Sequence, residues 1–109
     1  MKKYMLIYLA PIDAWQQMAN TNPEEAQKSM ALWEAWFKKQ GDAVLEMGSP
    51  LGNGKSFTGN GSGGAAQTSI AGYSVLQAAD MDSIQAMIGD HPHFLLPGGT
   101  VDVLEMIQM

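Results

Sequence analysis

The run Lys3-Tyr4-Met5-Leu6-Ile7-Tyr8-Leu9 is apolar on both sides of an extended chain, and it constrains the fold more than any other stretch. In a strand, Tyr4, Leu6 and Tyr8 point one way and Met5, Ile7 and Leu9 the other. A run of this length with no polar side predicts a strand inside a sheet rather than a helix. Pro11 stops it, because proline offers no amide hydrogen to a ladder.

Around this strand the remaining signals fall in a recognisable order. Asn22-Pro23-Glu24-Glu25 predicts a helix start: Asn22 caps, Pro23 suits the first helical position, and the two carboxylates favour the positive end of the dipole. Ala26, Met30, Trp33 and Phe37 follow at helical spacing and form the expected core stripe, with Trp36 flanking it. Lys38 and Lys39 occupy the last turn and Gly41 ends it. Ala43 to Met47 predicts a second, shorter strand. The stretch from Gly48 to Gly64 is rich in Gly, Asn and Ser and predicts a long flexible connection. Ile70 to Ala78 predicts a third strand. Asp80 caps a second helix carrying Met81, Ile84 and Ile88, and Thr100 to Ile107 predicts a last strand.

The order β-α-β-β-α-β is that of the ferredoxin-like fold, an α+β arrangement with two helices on one face of a four-stranded antiparallel sheet. A chain of 109 residues predicts a single domain, 1–109. Two helices cover one face of such a sheet, so the Met5, Ile7 and Leu9 side predicts a homodimer closed face to face.

Composition excludes several function classes. The formal charge is −5 with only 6 Lys+Arg, which argues against a nucleic-acid partner, whose phosphates need a basic face. Cysteine is absent, which removes disulfides, thiolate metal sites and a catalytic thiol. No stretch has the apolar length of a membrane span. Met1-Lys2-Lys3 before an apolar run has the start of a secretory leader, but the run breaks at Pro11 and Asp13 with no small-residue cleavage site. The expectation is a cytoplasmic protein with no membrane partner.

Four segments together resemble the YCII-related family: Met1-Lys2-Lys3-Tyr4-Met5-Leu6-Ile7-Tyr8, Ala71-Gly72-Tyr73-Ser74-Val75, Gly89-Asp90-His91-Pro92-His93-Phe94 and Gly98-Gly99-Thr100-Val101-Asp102-Val103. The resemblance implies a dimeric α+β barrel built from ferredoxin-like units, with a pocket between sheet and helix ends. It also implies small-molecule enzyme activity around a His/Asp pair. In one branch of the family that His lies on the first helix and the Asp directly precedes the proline after the second. Here the first helix carries no His, and His91 precedes Pro92, so the pair does not transfer residue for residue.

The two histidines of the chain lie in one segment, Asp90-His91-Pro92-His93. An imidazole titrates near neutral pH and suits proton transfer, so His91 and His93 are the catalytic candidates, with Asp90 expected to orient a ring. The plainer alternative is that they cap a helix C-terminus, where the dipole and the last carbonyls favour them. Two His and a carboxylate fall short of a full metal site with no further His or Cys to add, so no metal is assigned. Tyr8, Trp36, Tyr73 and Phe94 are the candidates for binding substrate, and Trp15 for a cover over the pocket mouth. Gly52-Asn53-Gly54-Lys55-Ser56 fails as a phosphate loop on spacing and on the absence of a following helix, so no cofactor is expected. Asp102 and Glu105 point to opposite faces of a strand and form no acid/base pair. The residues therefore support a cofactor-free lyase or isomerase, or alternatively a non-catalytic dimer that binds a small ligand in a binding or regulatory role.

Overall fold

The computed structural model describes residues 1–11, 22–66 and 68–109. Its elements are β1 (Lys2–Leu9), α1 (Pro23–Gln40), a 3-10 turn (Gly41–Ala43), β2 (Val44–Pro50), β3 (Lys55–Phe57), β4 (Gly63–Ala65), β5 (Ile70–Ala78), α2 (Met81–Ile88), a second 3-10 turn (Pro92–Leu95) and β6 (Thr100–Glu105). Strands β2, β5, β1 and β6 pair in that order, all antiparallel, which is the ferredoxin-like sheet order.

The helix starts follow from their caps. Asn22 Oδ1 accepts the Glu25 amide at 2.8 Å, and Asp80 Oδ1 accepts the Ser83 amide at 2.9 Å, each satisfying a donor that the helix leaves open. Gly41 ends α1 at φ 58°, a conformation glycine reaches without a Cβ penalty.

Strand β1 is central, and its two faces differ. Tyr4, Leu6 and Tyr8 are buried, and they join Leu76, Ala78, Trp36 and Ile84 in one core. Both helices thus contribute to the same side of the sheet. Cross-strand partners place Met5, Ile7, Val75 and Leu104 on the other side. No helix of this chain covers that side among the described residues, and Leu104 is exposed.

Three expectations need correction. The buried residue of α1 is Trp36, while Met30 is exposed and Trp33 and Phe37 are half-buried. Trp33, Trp36 and Phe37 are the residues of α1 that pack on the core, while Ala26 and Met30, earlier on the expected stripe, are exposed. The later half of the expected stripe thus packs, and the flanking Trp36 is buried deepest. Second, β2 does not stop at Met47 but continues to Pro50, and the glycine-rich stretch folds into the β3–β4 hairpin, tied by the Thr58 amide donating to the Ser62 carbonyl at 2.7 Å. Third, β6 ends at Glu105, two residues short of the expected Ile107.

Strand β2 pairs with β5 irregularly, with register shifts between Val44 and Glu46 and between Glu46 and Ser49. Gly48 lies inside the second shift at φ 79°, and a Cβ there would sit 1.8 Å from the Tyr73 carbonyl oxygen. Only glycine permits this approach. Gly48→Ala is expected to lower stability in urea denaturation by about 2–3 kcal/mol, from left-handed strain plus the displaced strand. Gly64→Ala, where a Cβ meets nothing within 4 Å, is expected to be near neutral.

Candidate functional site

The site is assembled on the helix side of the sheet, where β1, β5, α1 and the segment after α2 meet. Tyr8 projects from β1 into the core, and Ser74, beside it on β5, is fully buried on the same face. His91 follows α2. Pro92 restricts the residue before it to extended backbone, and His91 sits at φ −64°, ψ 135° as the cap of the second 3-10 turn. The proline starts that turn, whose tight winding brings His93 back towards β1.

The imidazole of His91 is only 2 % exposed and both of its nitrogens are engaged. Nε2 lies 3.0 Å from Tyr8 Oη, and Nδ1 accepts the His93 backbone amide at 3.0 Å. The Tyr8 hydroxyl donates to Ser74 Oγ at 2.7 Å, and the Ser74 hydroxyl donates to the Met47 carbonyl at 2.7 Å. His93 Nε2 lies 2.8 Å from the Leu9 carbonyl, which can only accept, so Nε2 carries the hydrogen. Among the described residues, nothing bonds His93 Nδ1. Gly99 allows this packing, since a Cβ there would lie 2.7 Å from the His93 carbonyl oxygen and 3.2 Å from Nε2.

Aromatic rings enclose His91. Trp36 stands with its centroid 4.3 Å away, Trp33 at 4.6 Å edge-on and Tyr8 at 5.0 Å, and Tyr8 also meets His93 at 5.2 Å. Trp36 Nε1 donates to Asp90 Oδ1 at 3.2 Å, and Lys39 pairs with the other carboxylate oxygen. Asp90 is thus held by α1 at the surface and bonds neither histidine ring. The expectation that Asp90 orients one of the two rings is therefore corrected: Tyr8 and the His93 amide orient His91, and the Leu9 carbonyl orients His93. The Lys39 ammonium holds the Asp90 carboxyl below the usual carboxylate range.

Burial dominates the titration of the core groups. Desolvation lowers His91 to about 4, with His93 adding to the shift and Asp90 opposing it. Desolvation pushes Tyr8 up to about 12 against the Ser74 hydrogen bond. At neutral pH His91 is therefore an uncharged imidazole and Tyr8 an intact phenol.

Of the residues nominated from sequence, Tyr8, Trp36, His91 and His93 come together, and Asp90 joins through Trp36. Tyr73 does not. It pairs across from Ile7 on the opposite face, and its hydroxyl donates to Glu46, a hydrogen bond that, with the carboxylate's charge, raises the phenol above its ordinary value. Phe94 is 45 % exposed. Trp15 lies outside the described residues. Ser74, Trp33 and Lys39 were not nominated. Ser74 carried a signal: it is a small polar residue between Tyr73 and Val75 inside an otherwise apolar strand. A groove of about 370 Å³ runs between α2 and β6, lined by Ile84, Ile88, Val101 and Val103 among others, and contains none of the nominated residues. Among the described residues no group of three His, Cys, Asp or Glu is placed to hold a metal, and no helix is long and apolar enough to cross a membrane.

No known family profile matches the chain, and no curated protein is significantly similar to it.

The His91 shift makes a signed prediction. The folded protein takes up this proton only near pH 4, whereas the unfolded chain does so near the ordinary 6.5. Between these values the unfolded state binds more protons, so stability is full above pH 6.5 and falls as pH drops. The His91 contribution lost by pH 4 is on the order of 3 kcal/mol. Urea denaturation across this range measures the slope, and an NMR titration assigns it. A His91 ring that protonates near 6.5 in the folded protein contradicts the burial described here.

Proposed function

We propose that the chain is a cytoplasmic, YCII-related, cofactor-free enzyme of the lyase or isomerase type, acting on a small molecule as a homodimer. The observation that carries this reading is the pair of buried histidines bracketing Tyr8. Of the groups there, His91 and Tyr8 are displaced from their ordinary values by burial, and perturbed groups gathered at one place are a mark of functional sites. The roles divide by hydrogen bonding. His91 has both nitrogens engaged and serves to hold the site together. His93 has its Nε2 hydrogen on the Leu9 carbonyl, and its Nδ1, which nothing among the described residues bonds, is the proposed acceptor of the proton.

In the proposed step, Nδ1 of His93 takes a proton from a carbon next to a carbonyl or carboxylate. The C–H electron pair forms a double bond, and the imidazolium returns the proton to a different carbon (isomerase) or to a departing oxygen (lyase). The substrate class is unsaturated carboxylic acids, lactones and related carbonyl compounds. A thermal-shift screen of such compounds is expected to give a hit that His93→Gln abolishes, because a ligand that binds only the folded state raises its melting point. Hits that survive both His93→Gln and His91→Gln would place the ligand elsewhere and sink the reading.

A second reading, a non-catalytic dimer that binds a small ligand in a regulatory role, draws on one observation. The chain of hydrogen bonds from His91 to Met47 is satisfied at both ends, as a structural core requires. Binding without turnover in the same screen favours it.

The homodimer is proposed through the open sheet face. The half-buried Met5 and Ile7 and the exposed Leu104 form its apolar surface, with Val75 already buried among them, and a second copy related by a two-fold axis supplies the matching one. Sedimentation of the purified protein is expected to show a dimer, and Ile7→Asp a monomer. A wild-type monomer at tens of micromolar would remove the dimer from the account.

A further inference from the structure

The Met47 carbonyl can only accept a hydrogen bond, and this fixes the direction of every bond that follows it. Ser74 must spend its one hydroxyl hydrogen on Met47, so towards Tyr8 it accepts. Tyr8 must then spend its own hydrogen on Ser74, so towards His91 it accepts, and Nε2 of His91 must carry a hydrogen. A neutral imidazole has only one such hydrogen, so Nδ1 is a bare acceptor. The His93 backbone amide, which can only donate, points at that atom from 3.0 Å. The two ends of the chain therefore favour the same tautomer and act on it together. Reversing the chain fails at both ends: the Met47 carbonyl loses its donor, and an Nδ1 hydrogen opposes the His93 amide hydrogen.

We infer that Ser74 is a positioning residue: anchored on the Met47 carbonyl, it sets the tautomer of His91 through Tyr8, and so seats the turn that carries His93. The anchor exists because of Gly48. The β2–β5 ladder is interrupted between Glu46 and Ser49, and Gly48 at φ 79° lets β2 approach so closely that the Met47 carbonyl meets a side chain of β5. At the other end, the His91 Nδ1 bond caps the 3-10 turn, from which His93 reaches the Leu9 carbonyl. The consequence for catalysis rests on the reading of His93 given above, whereas the tautomer itself does not.

The test uses the 15N-labelled protein at pH 7 and needs no substrate. Two-bond 1H–15N spectra of the imidazoles separate a ring hydrogen on Nε2 from one on Nδ1. The wild-type His91 is expected to be neutral with its hydrogen on Nε2, and the His93 amide to be protected from exchange. Ser74→Ala frees the Tyr8 hydroxyl to donate to His91 Nε2. That hydrogen then competes with the His93 amide for the ring, so the Nδ1–H tautomer, absent in the wild type, is expected to become populated beside Nε2–H, and the His93 amide to exchange several-fold faster. Ser74→Thr, which keeps a hydroxyl, is expected to restore the wild-type spectrum. If Ser74→Ala does not fold, Ser74→Cys keeps the volume while weakening both bonds, and is expected to shift the ring the same way. A wild-type Nδ1–H tautomer, or an Nε2–H tautomer and a protected amide unchanged in the folded alanine or cysteine variant, overturns the inference. A tautomer that follows Ser74 upholds it, even in a protein on which no ligand of the proposed class acts.

Discussion

An imidazole in the middle of the core is held by two hydrogen bonds, and four parts of the chain must be in register for both to form. His91 comes from the segment after α2, Tyr8 from β1, Ser74 from β5, and the accepting carbonyl from β2. Leaving a buried polar group unpaired costs roughly 1–3 kcal/mol, a large fraction of what a small domain has to spare. No buried side-chain nitrogen or oxygen among the described residues lacks a partner. The network therefore specifies the helix side of the sheet as strictly as the apolar packing around it does.

Its surroundings keep charge at the surface and neutral groups inside. The ion pair of Lys39 and Asp90 lies at the surface and reaches the core only through the indole hydrogen of Trp36. Inside, Trp33, Trp36 and Tyr8 crowd the His91 ring and exclude the water that would stabilise its cation. Such an interior keeps its histidine neutral and its phenol protonated at physiological pH. It suits a site in which one ring is immobilised so that a second is presented in a defined orientation.

Much of the architecture was legible in the sequence because local chemistry dictates it. Asn22 and Asp80 announce the helix starts, and the two-sided apolar run at Tyr4–Leu9 demands a central strand. The burial of Trp36 was not legible, because Trp36 packs on His91 and bonds Asp90, partners more than fifty residues away in the chain. The β3–β4 hairpin was hidden by glycines that read as a flexible loop. At the site, the grouping of His91 and His93 was visible as a motif, but the direction of their bonds was not. It depends on a backbone carbonyl at Met47, whose only trace in the sequence is the glycine after it. Tyr73 shows the opposite failure: an aromatic in the right strand lands on the wrong face, since one step along a strand reverses the side chain.

The central proposal is that this core presents a histidine that takes a proton from a carbon acid. The most direct measurement is proton NMR of candidate unsaturated acids and lactones incubated with the protein in deuterated water. The account predicts that deuterium enters one carbon position of a bound compound, and that His93→Gln stops it while leaving the protein folded. A compound that binds at this site but acquires no deuterium, or acquires it equally with His93→Gln, would contradict the claim and leave the site as a place of binding alone.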